Sequence, residues 1–171
     1  DYVTVNDIAE KVYPVSCTVI NEEESKKIQN KVPIHLYYAT KHNKLKLVVR
    51  YISSTQQDIN EIATIIVKEL MKNPKERGLY NVIPYGTKLR KPVKVQNNTA
   101  YVDLSEEFIK NHKGGKEGEK ITIFAIVNSL TELKDINRVN FKINGKALKE
   151  YKGNFRFDKD FPRYTQNIQQ L

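Results

Sequence analysis

Two changes of hydrophobic period constrain this chain more than any other feature. From Val32 apolar residues fall on every second position: Ile34, Leu36 and Tyr38 alternate with His35 and Tyr37. Past a turn at Lys41 to Lys44, Leu45, Leu47, Val49 and Tyr51 alternate with Lys46, Val48 and Arg50. A period of two belongs to a half-buried strand, so this segment is expected to be a hairpin with one face in the core. The period then lengthens. Ile59, Ile62, Ala63, Ile66, Val67 and Leu70 recur at three and four, which places a helix over Asp58 to Lys72, with Ser54 or Thr55 as its candidate cap and Pro74 as its stop.

The cycle then repeats. Beyond the turn-rich passage Gly78 to Gly86, Leu89, Val93 and Val95 alternate with polar residues, and Ala100, Val102 and Leu104 do the same after Asn97-Asn98. Asparagine tolerates positive φ, so the pair suits a tight hairpin turn. Ser105 to Lys110 reads as a short helix with Ser105 capping and Phe108 inward, and Gly114-Gly115 with Gly118 as a polar loop. Residues 119 to 134 carry Ile121, Phe124, Ala125, Val127 and Leu130 around so much of their circumference that this second main helix should be the more buried. Val139, Phe141 and Ile143 form a final strand ending at Asn144-Gly145, and the aromatic tail (Phe155, Phe157, Phe161, Tyr164) is expected to dock on the body. The order ββα-ββα-β predicts an α+β fold, a mostly antiparallel small sheet with two main helices packed on one face. Its two halves share topology but little residue identity. The domain is expected to span 33–167. Residues 1–32, with Val-rich patches, Pro14 and a charged run, read as an N-terminal extension or linker.

Composition excludes several classes. No apolar run approaches the roughly 20 residues of a membrane span. A single cysteine, Cys17, rules out an internal disulfide framework and a Cys-based zinc site. The lone methionine is Met71 while the first residue is Asp1, so a targeting or anchoring segment is expected to have been removed from the N-terminus. The formal charge is +9, divided as −2 over residues 1–33 and +11 over the rest, and lysine greatly outnumbers arginine. Lysine and asparagine richness is what AT-rich coding produces. Its physical effect on acidic partners is the same whatever its origin.

Reactive side chains form no recognisable constellation in the sequence. His35, His42 and His112 lack metal-ligand spacing and read as surface residues; no metal or cofactor is implied. Asp103, Glu106, Glu107 and Glu132 are the carboxylate candidates for acid-base work, but Glu106 and Glu107 stand at a helix start where the dipole already favours negative charge. The loop Gly114 to Lys120 lacks phosphate-loop spacing and carries two glutamates. A cell-wall or germination hydrolase would need Asp103 and Glu132 converging in one cleft. The candidate interaction face is the open side of the sheet, with His35, Tyr37, Lys46, Arg50, Lys94, Tyr101 and Lys142. Such a face could stack bases or meet anionic polymers, but the signature of RNA-recognition domains is absent and nucleic acid is not expected as the partner.

Three stretches carry a family resemblance: Ile83-Pro84-Tyr85-Gly86-Thr87-Lys88-Leu89, Ala100-Tyr101-Val102-Asp103-Leu104-Ser105-Glu106-Glu107-Phe108, and Ala125-Ile126-Val127-Asn128-Ser129-Leu130-Thr131-Glu132. In that order and spacing they resemble the GerM domain, named for a sporulation and germination protein of endospore-forming bacteria. The resemblance runs from about Pro33 to Asn167. It implies a fold like the ring-building modules of secretion systems and a non-enzymatic scaffold or interaction role outside the cytoplasmic membrane. It further implies a lipidated or signal-like N-terminal anchor, and as partners other envelope or sporulation-complex proteins or further copies of the chain in a ring. Within the motifs, Gly86 is expected to turn the chain sharply into a strand, and Asn128 and Thr131 to be buried polar groups bonded to neighbouring backbone.

Overall fold

The computed structural model describes residues 31–53 and 58–169. Cys17, the Val-rich patches and charged run of the extension, and the candidate caps Ser54 and Thr55 lie outside the described residues. The chain divides into two units, Asp1–Val32 with Ser53–Thr55 and Pro33–Ile52 with Gln56–Leu171; the second carries the fold.

Strands β1 (Lys31–Thr40) and β2 (Leu45–Ser53) occupy the first alternating stretch, and β3 (Leu79–Tyr80) adds to the other edge of β1, giving a three-stranded sheet in the order β2-β1-β3. On β2 the expected faces are not kept: Val48 is buried in the core, while Val49 and Tyr51 are exposed. The helix between them, α1 (Ile59–Leu70), starts at Asp58, whose carboxylate accepts from Glu61 N–H at 2.9 Å. Strands β4 (Lys94–Gln96) and β5 (Thr99–Leu104) form the second hairpin, with both turn asparagines left-handed, φ 53° at Asn97 and 60° at Asn98. The short α2 (Glu107–Lys110) and long α3 (Gly115–Thr131) then cross to β6 (Arg138–Ile143), which lies parallel to β5. A parallel neighbour needs such a long crossover, and here the crossover is the second helical layer. The small strands β7 (Glu150–Tyr151) and β8 (Phe155–Arg156) pair with each other, while β9 (Phe161–Pro162) pairs antiparallel with β6. The second sheet therefore runs β4-β5-β6-β9 with two antiparallel junctions and one parallel.

The architecture is the expected α+β arrangement, with three corrections. The described strands form three sheets rather than one: the first hairpin pairs with β3 instead of joining β4-β5-β6, and the tail past β6 adds β9 to that second sheet and β7-β8 as a third. The glycine-rich passage is helix, not loop: α3 starts at Gly115, four residues before the expected position. The first hairpin is buried on both faces along β1: Ile34, Leu36 and Tyr38 join the main core with α1, while Tyr37 and Ala39 pack with Ile121 and Ala125 of α3. Tyr37 and Tyr38 are thus both almost inaccessible. Burial pushes the Tyr38 phenol up to about 12, and its hydroxyl donates to Glu69 O at the end of α1.

The main core lies under the four-stranded sheet, where Val102, Leu104, Val139 and Phe141 meet α1 residues Ala63, Ile66, Val67 and Leu70 and α3 residues Ile123, Ile126, Val127 and Leu130. The tail completes it. Phe157 stacks on Phe141 at 5.0 Å and Tyr151 meets Phe108 edge-on at 5.5 Å, and burying each such ring contributes about 2 to 3 kcal/mol. Asn128, fully buried on α3, holds the tail as a strand would: its Nδ2 donates to Tyr164 O at 2.7 Å and its Oδ1 accepts from Tyr164 N–H at 3.0 Å.

Candidate interaction face

The outer face of the β4-β5-β6-β9 sheet follows from side-chain alternation. Ala100, Val102 and Leu104 face the core, so Tyr101 and Asp103 face out; Val139, Phe141 and Ile143 face in, so Arg138, Asn140 and Lys142 face out. Lys94 lies opposite Tyr101 across the β4–β5 ladder, and Lys142 lies opposite Asp103 across β5–β6. These side chains, with Lys91, Pro92, Gln96 and Val102, line an open cleft of about 280 Å³. The carboxylates of this face are committed to structure. Asp103 accepts from Arg90 at 3.0 Å and from Gly145 N–H at 3.0 Å, while Asp160 pairs with Arg138 at 3.3 Å and accepts from Asn140 Nδ2 at 2.8 Å. Lys91, Lys94 and Lys142 make no ion pair among the described residues.

The edges of the same sheet are closed. On β4 the outward N–H of Val95 donates to Asn60 Oδ1 and that of Val93 to Thr64 Oγ1, both at 2.8 Å, so α1 side chains take the place of a further strand. On the far edge β9 contains Pro162, which has no N–H to offer. The outer face of the sheet is exposed at Tyr101.

Of the residues expected on this face, Lys94, Tyr101 and Lys142 come together in the cleft. His35, Lys46 and Arg50 belong to the other sheet. Arg50 is held by Glu76 in a two-pronged ion pair with both contacts at 2.6 Å, which keeps the Glu76 carboxyl below its ordinary range. Tyr37 is placed on no face at all, being 3% exposed. Its N–H donates to Ser129 Oγ, and its hydroxyl accepts from Arg163 at 2.7 Å and donates to Glu132 at 3.2 Å; burial raises its pKa. The β1 alternation marked it as outward because the covering helix comes from far along the chain.

Asp103 and Glu132 serve separate networks. Glu132 lies at the end of α3 beside Arg163 at 3.5 Å and His35 at 3.7 Å, sharing no partner with Asp103. Among the described residues no group of three His, Cys, Asp or Glu side chains could hold a metal, and no helix is long and apolar enough to cross a membrane.

His112 is a correction: it is not a surface residue but 8% exposed. Nδ1 accepts from Gly114 N–H at 3.2 Å, so the ring is neutral with its proton on Nε2, which donates to Thr122 Oγ1 at 2.7 Å. Thr122 hands on its own proton to Val82 O at 2.7 Å or Gly118 O at 3.0 Å. Burial holds the imidazole pKa below its ordinary value. A Cβ on Gly114 would stand 3.0 Å from His112 Cε1, so the missing side chain makes room for the ring. The spacing His112, Gly114, Gly118, Thr122 carried this signal, since glycines that a helix tolerates badly point to something packed close against it. Ser105 has a further role: its Oγ accepts from Lys88 N–H at 2.8 Å, joining the second motif to the first, and its main-chain oxygen accepts from Phe108 N–H at 3.1 Å, while the cap position of α2 falls on Glu106.

Comparison with known proteins adds relatives to this geometry. Residues 35–149 match the family described as "Germane: Sporulation and spore germination". Over 84 residues the chain is 36% identical to the spore germination protein GerM of Bacillus subtilis (strain 168), covering 49% of this chain and 21% of that protein. Its fold is similar to the tandem GerMN domains of the Bacillus subtilis sporulation protein GerM, with a TM-score of 0.65 and 22% identity over 89% of this chain and 51% of that one. It is also similar to the first GerMN domain of that protein alone, with a TM-score of 0.59 and 25% identity over 77% of this chain and 97% of that one. The chain thus spans about a fifth of the length of the curated relative it matches.

Proposed function

The chain belongs to the Germane family of sporulation and spore germination domains, and from that premise we propose that it is a non-enzymatic interaction domain working outside the cytoplasmic membrane. It is tethered on its N-terminal side and docks other envelope or sporulation-complex proteins or further copies of itself. The observation that carries this reading is the second sheet, closed at both edges by Asn60, Thr64 and Pro162 yet open and basic across its face. The three family motifs are spent on the fold: Gly86 turns the chain at φ 87°, Ser105 ties the first motif to the second, and Asn128 holds the tail. A hydrolase reading has no support from Asp103, whose oxygens already serve Arg90 and Gly145.

The test is cellular. In the source organism, a tagged full-length protein should be degraded by protease added outside the cytoplasmic membrane, and deletion of its gene should lower the yield of heat-resistant or germination-competent spores. A protease-protected protein together with normal spores from the deletion strain would refute the proposal.

A further inference from the structure

We propose that the cleft around Tyr101 binds an anionic polymer of phosphodiester-linked polyol units. The inference rests on the preceding reading only in taking this face as a working surface outside the cytoplasm. Three features converge there.

Charge comes first. Lys91, Lys94 and Lys142 surround the cleft, while the neighbouring acids Asp103 and Asp160 are each held by an arginine, Arg90 and Arg138. The face therefore carries three ammonium groups that make no ion pair among the described residues, on a chain whose charge is already +9.

The kind of charge narrows the ligand. Both arginines of this face, whose planar forks would clamp a single carboxylate or phosphate group bidentately, are already engaged. What remains is lysine, a point charge on a flexible stem that binds phosphate without a fixed geometry and so tolerates the irregular charge spacing of a flexible phosphodiester chain. Lys94 and Lys142 stand on strands two apart and are staggered by two residues, since one faces Tyr101 and the other Asp103 across their ladders. Strand spacing and rise put their backbones roughly 10 to 12 Å apart. A ligand satisfying both carries charge at more than one point along its length.

The cleft also has an apolar centre. Tyr101 is 39% exposed between the lysines and flanked by Pro92, so a ligand's carbon backbone has a ring to lie against while its phosphates reach the ammonium groups. Gln96 and the Tyr101 hydroxyl supply neutral polar groups for free hydroxyls on a polyol.

The experiment is titration of the purified full chain with poly(glycerol phosphate) at low ionic strength, followed by calorimetry. Saturable binding that weakens with added salt is expected. The triple variant Lys91→Gln, Lys94→Gln, Lys142→Gln should lose about tenfold in affinity, as three solvent-exposed charge contacts imply. Tyr101→Ala should lose roughly threefold to tenfold through lost packing. A control removing the same charge from exposed lysines elsewhere, Lys41→Gln, Lys44→Gln, Lys134→Gln, should keep affinity within a factor of about two. Equal losses in the two triple variants would overturn the site. Equally tight binding of polyglutamate would overturn the phosphate assignment, and tighter binding of phosphatidylglycerol vesicles or single-stranded DNA would overturn the polymer. Failure here leaves the protease and spore assays unaffected, so the two readings fall separately.

Discussion

Replacing Asn128 by alanine tests how the C-terminal tail is held. The carboxamide is fully buried and makes both bonds that a neighbouring strand would make to Tyr164, at 2.7 Å and 3.0 Å. Alanine removes both at once and leaves the Tyr164 N–H and C=O without partners at a half-buried site against α3. A net hydrogen bond is worth about 1 kcal/mol, but a stranded buried group costs about 1 to 3 kcal/mol, so the pair together predicts a loss of about 2 to 4 kcal/mol. For a domain of this size that lowers the melting temperature by about 5 to 15 °C. Urea unfolding followed by circular dichroism measures the loss directly, and limited trypsin digestion should show earlier cleavage after Lys159 and Arg163. Asn128→Asp separates packing from bonding: it keeps the acceptor for Tyr164 N–H, loses the donor to Tyr164 O and buries a charge, so it should destabilise at least as much as alanine. Arg163 holds the same tail segment through the main-chain carbonyl of Asn128 at 2.9 Å and the Tyr37 hydroxyl at 2.7 Å, bonds that Asn128→Ala leaves in place; because the two side chains anchor one segment, Arg163→Ala should couple to Asn128→Ala by more than about 0.5 kcal/mol. If Asn128→Ala costs less than about 0.5 kcal/mol with an unchanged cleavage pattern, the side chain does not hold the tail and the bonding argument is wrong.

Other perturbations reach different parts of the molecule. His112 has its pKa lowered in the folded state by burial, so its contribution to stability is complete above its unfolded value of about 6.5 and is lost as pH falls below it, by at most about 1.4 kcal/mol per pH unit for one proton. His112→Gln should remove that share of the acid slope in chemical denaturation taken between pH 7 and pH 5, and an unaltered slope would show that the imidazole does not titrate differently on folding. Gly145 has φ 78°, and a Cβ there would lie 3.0 Å from Arg90 Nη1; Gly145→Ala should cost about 1 to 2 kcal/mol by thermal unfolding. Asn60→Ala with Thr64→Ala exposes the Val93 and Val95 N–H groups, so stability should fall by about 2 kcal/mol and sedimentation should reveal more self-association than the parent chain shows.

What the sequence disclosed and what it hid divide along one physical line. Contacts within an element or across a tight turn write themselves into local pattern. The alternation of Ile34, Leu36 and Tyr38, the three-and-four spacing of Ile59 to Leu70 and the Asn97-Asn98 turn all reappear in the structure, whereas on β2 the expected faces do not, since Val48 is buried while Val49 and Tyr51 are exposed. Contacts between distant segments leave no such mark. Nothing near Tyr37 announces that Ser129, Glu132 and Arg163 will cover it, and so it was expected on an open face. Nothing near Val95 announces that Asn60 will occupy its edge. The glycine run before α3 misleads for a related reason: Gly114 and Gly118 look like helix breakers until the His112 ring that needs their missing side chains is seen beside them. The same limit splits the expected interaction face. Lys94, Tyr101 and Lys142 share a sheet because β5 and β6 pair across a long helical crossover, whereas Arg50 belongs to a separate sheet and is tied to Glu76.

That division explains why the family motifs and the candidate face meet only in the second motif, around Tyr101. Gly86, Ser105 and Asn128 each solve a problem of long-range assembly: a left-handed turn, a tie between two loops, and a polar anchor for a returning tail. Positions of this kind accept few substitutes, since each exchange strands a buried polar group or strains the backbone. The open sheet face obeys a looser rule. Strand pairing requires only that Tyr101, Lys94 and Lys142 alternate with inward apolar neighbours, and many polar side chains satisfy it. The fold therefore fixes the position of that face while leaving its chemistry free to be set by whatever it meets. In this chain the chemistry is an aromatic ring among lysines that have no ion pair among the described residues, on a sheet whose edges are closed. The exposed charge of that face attracts anions and repels cations, whatever the neighbouring elements contribute.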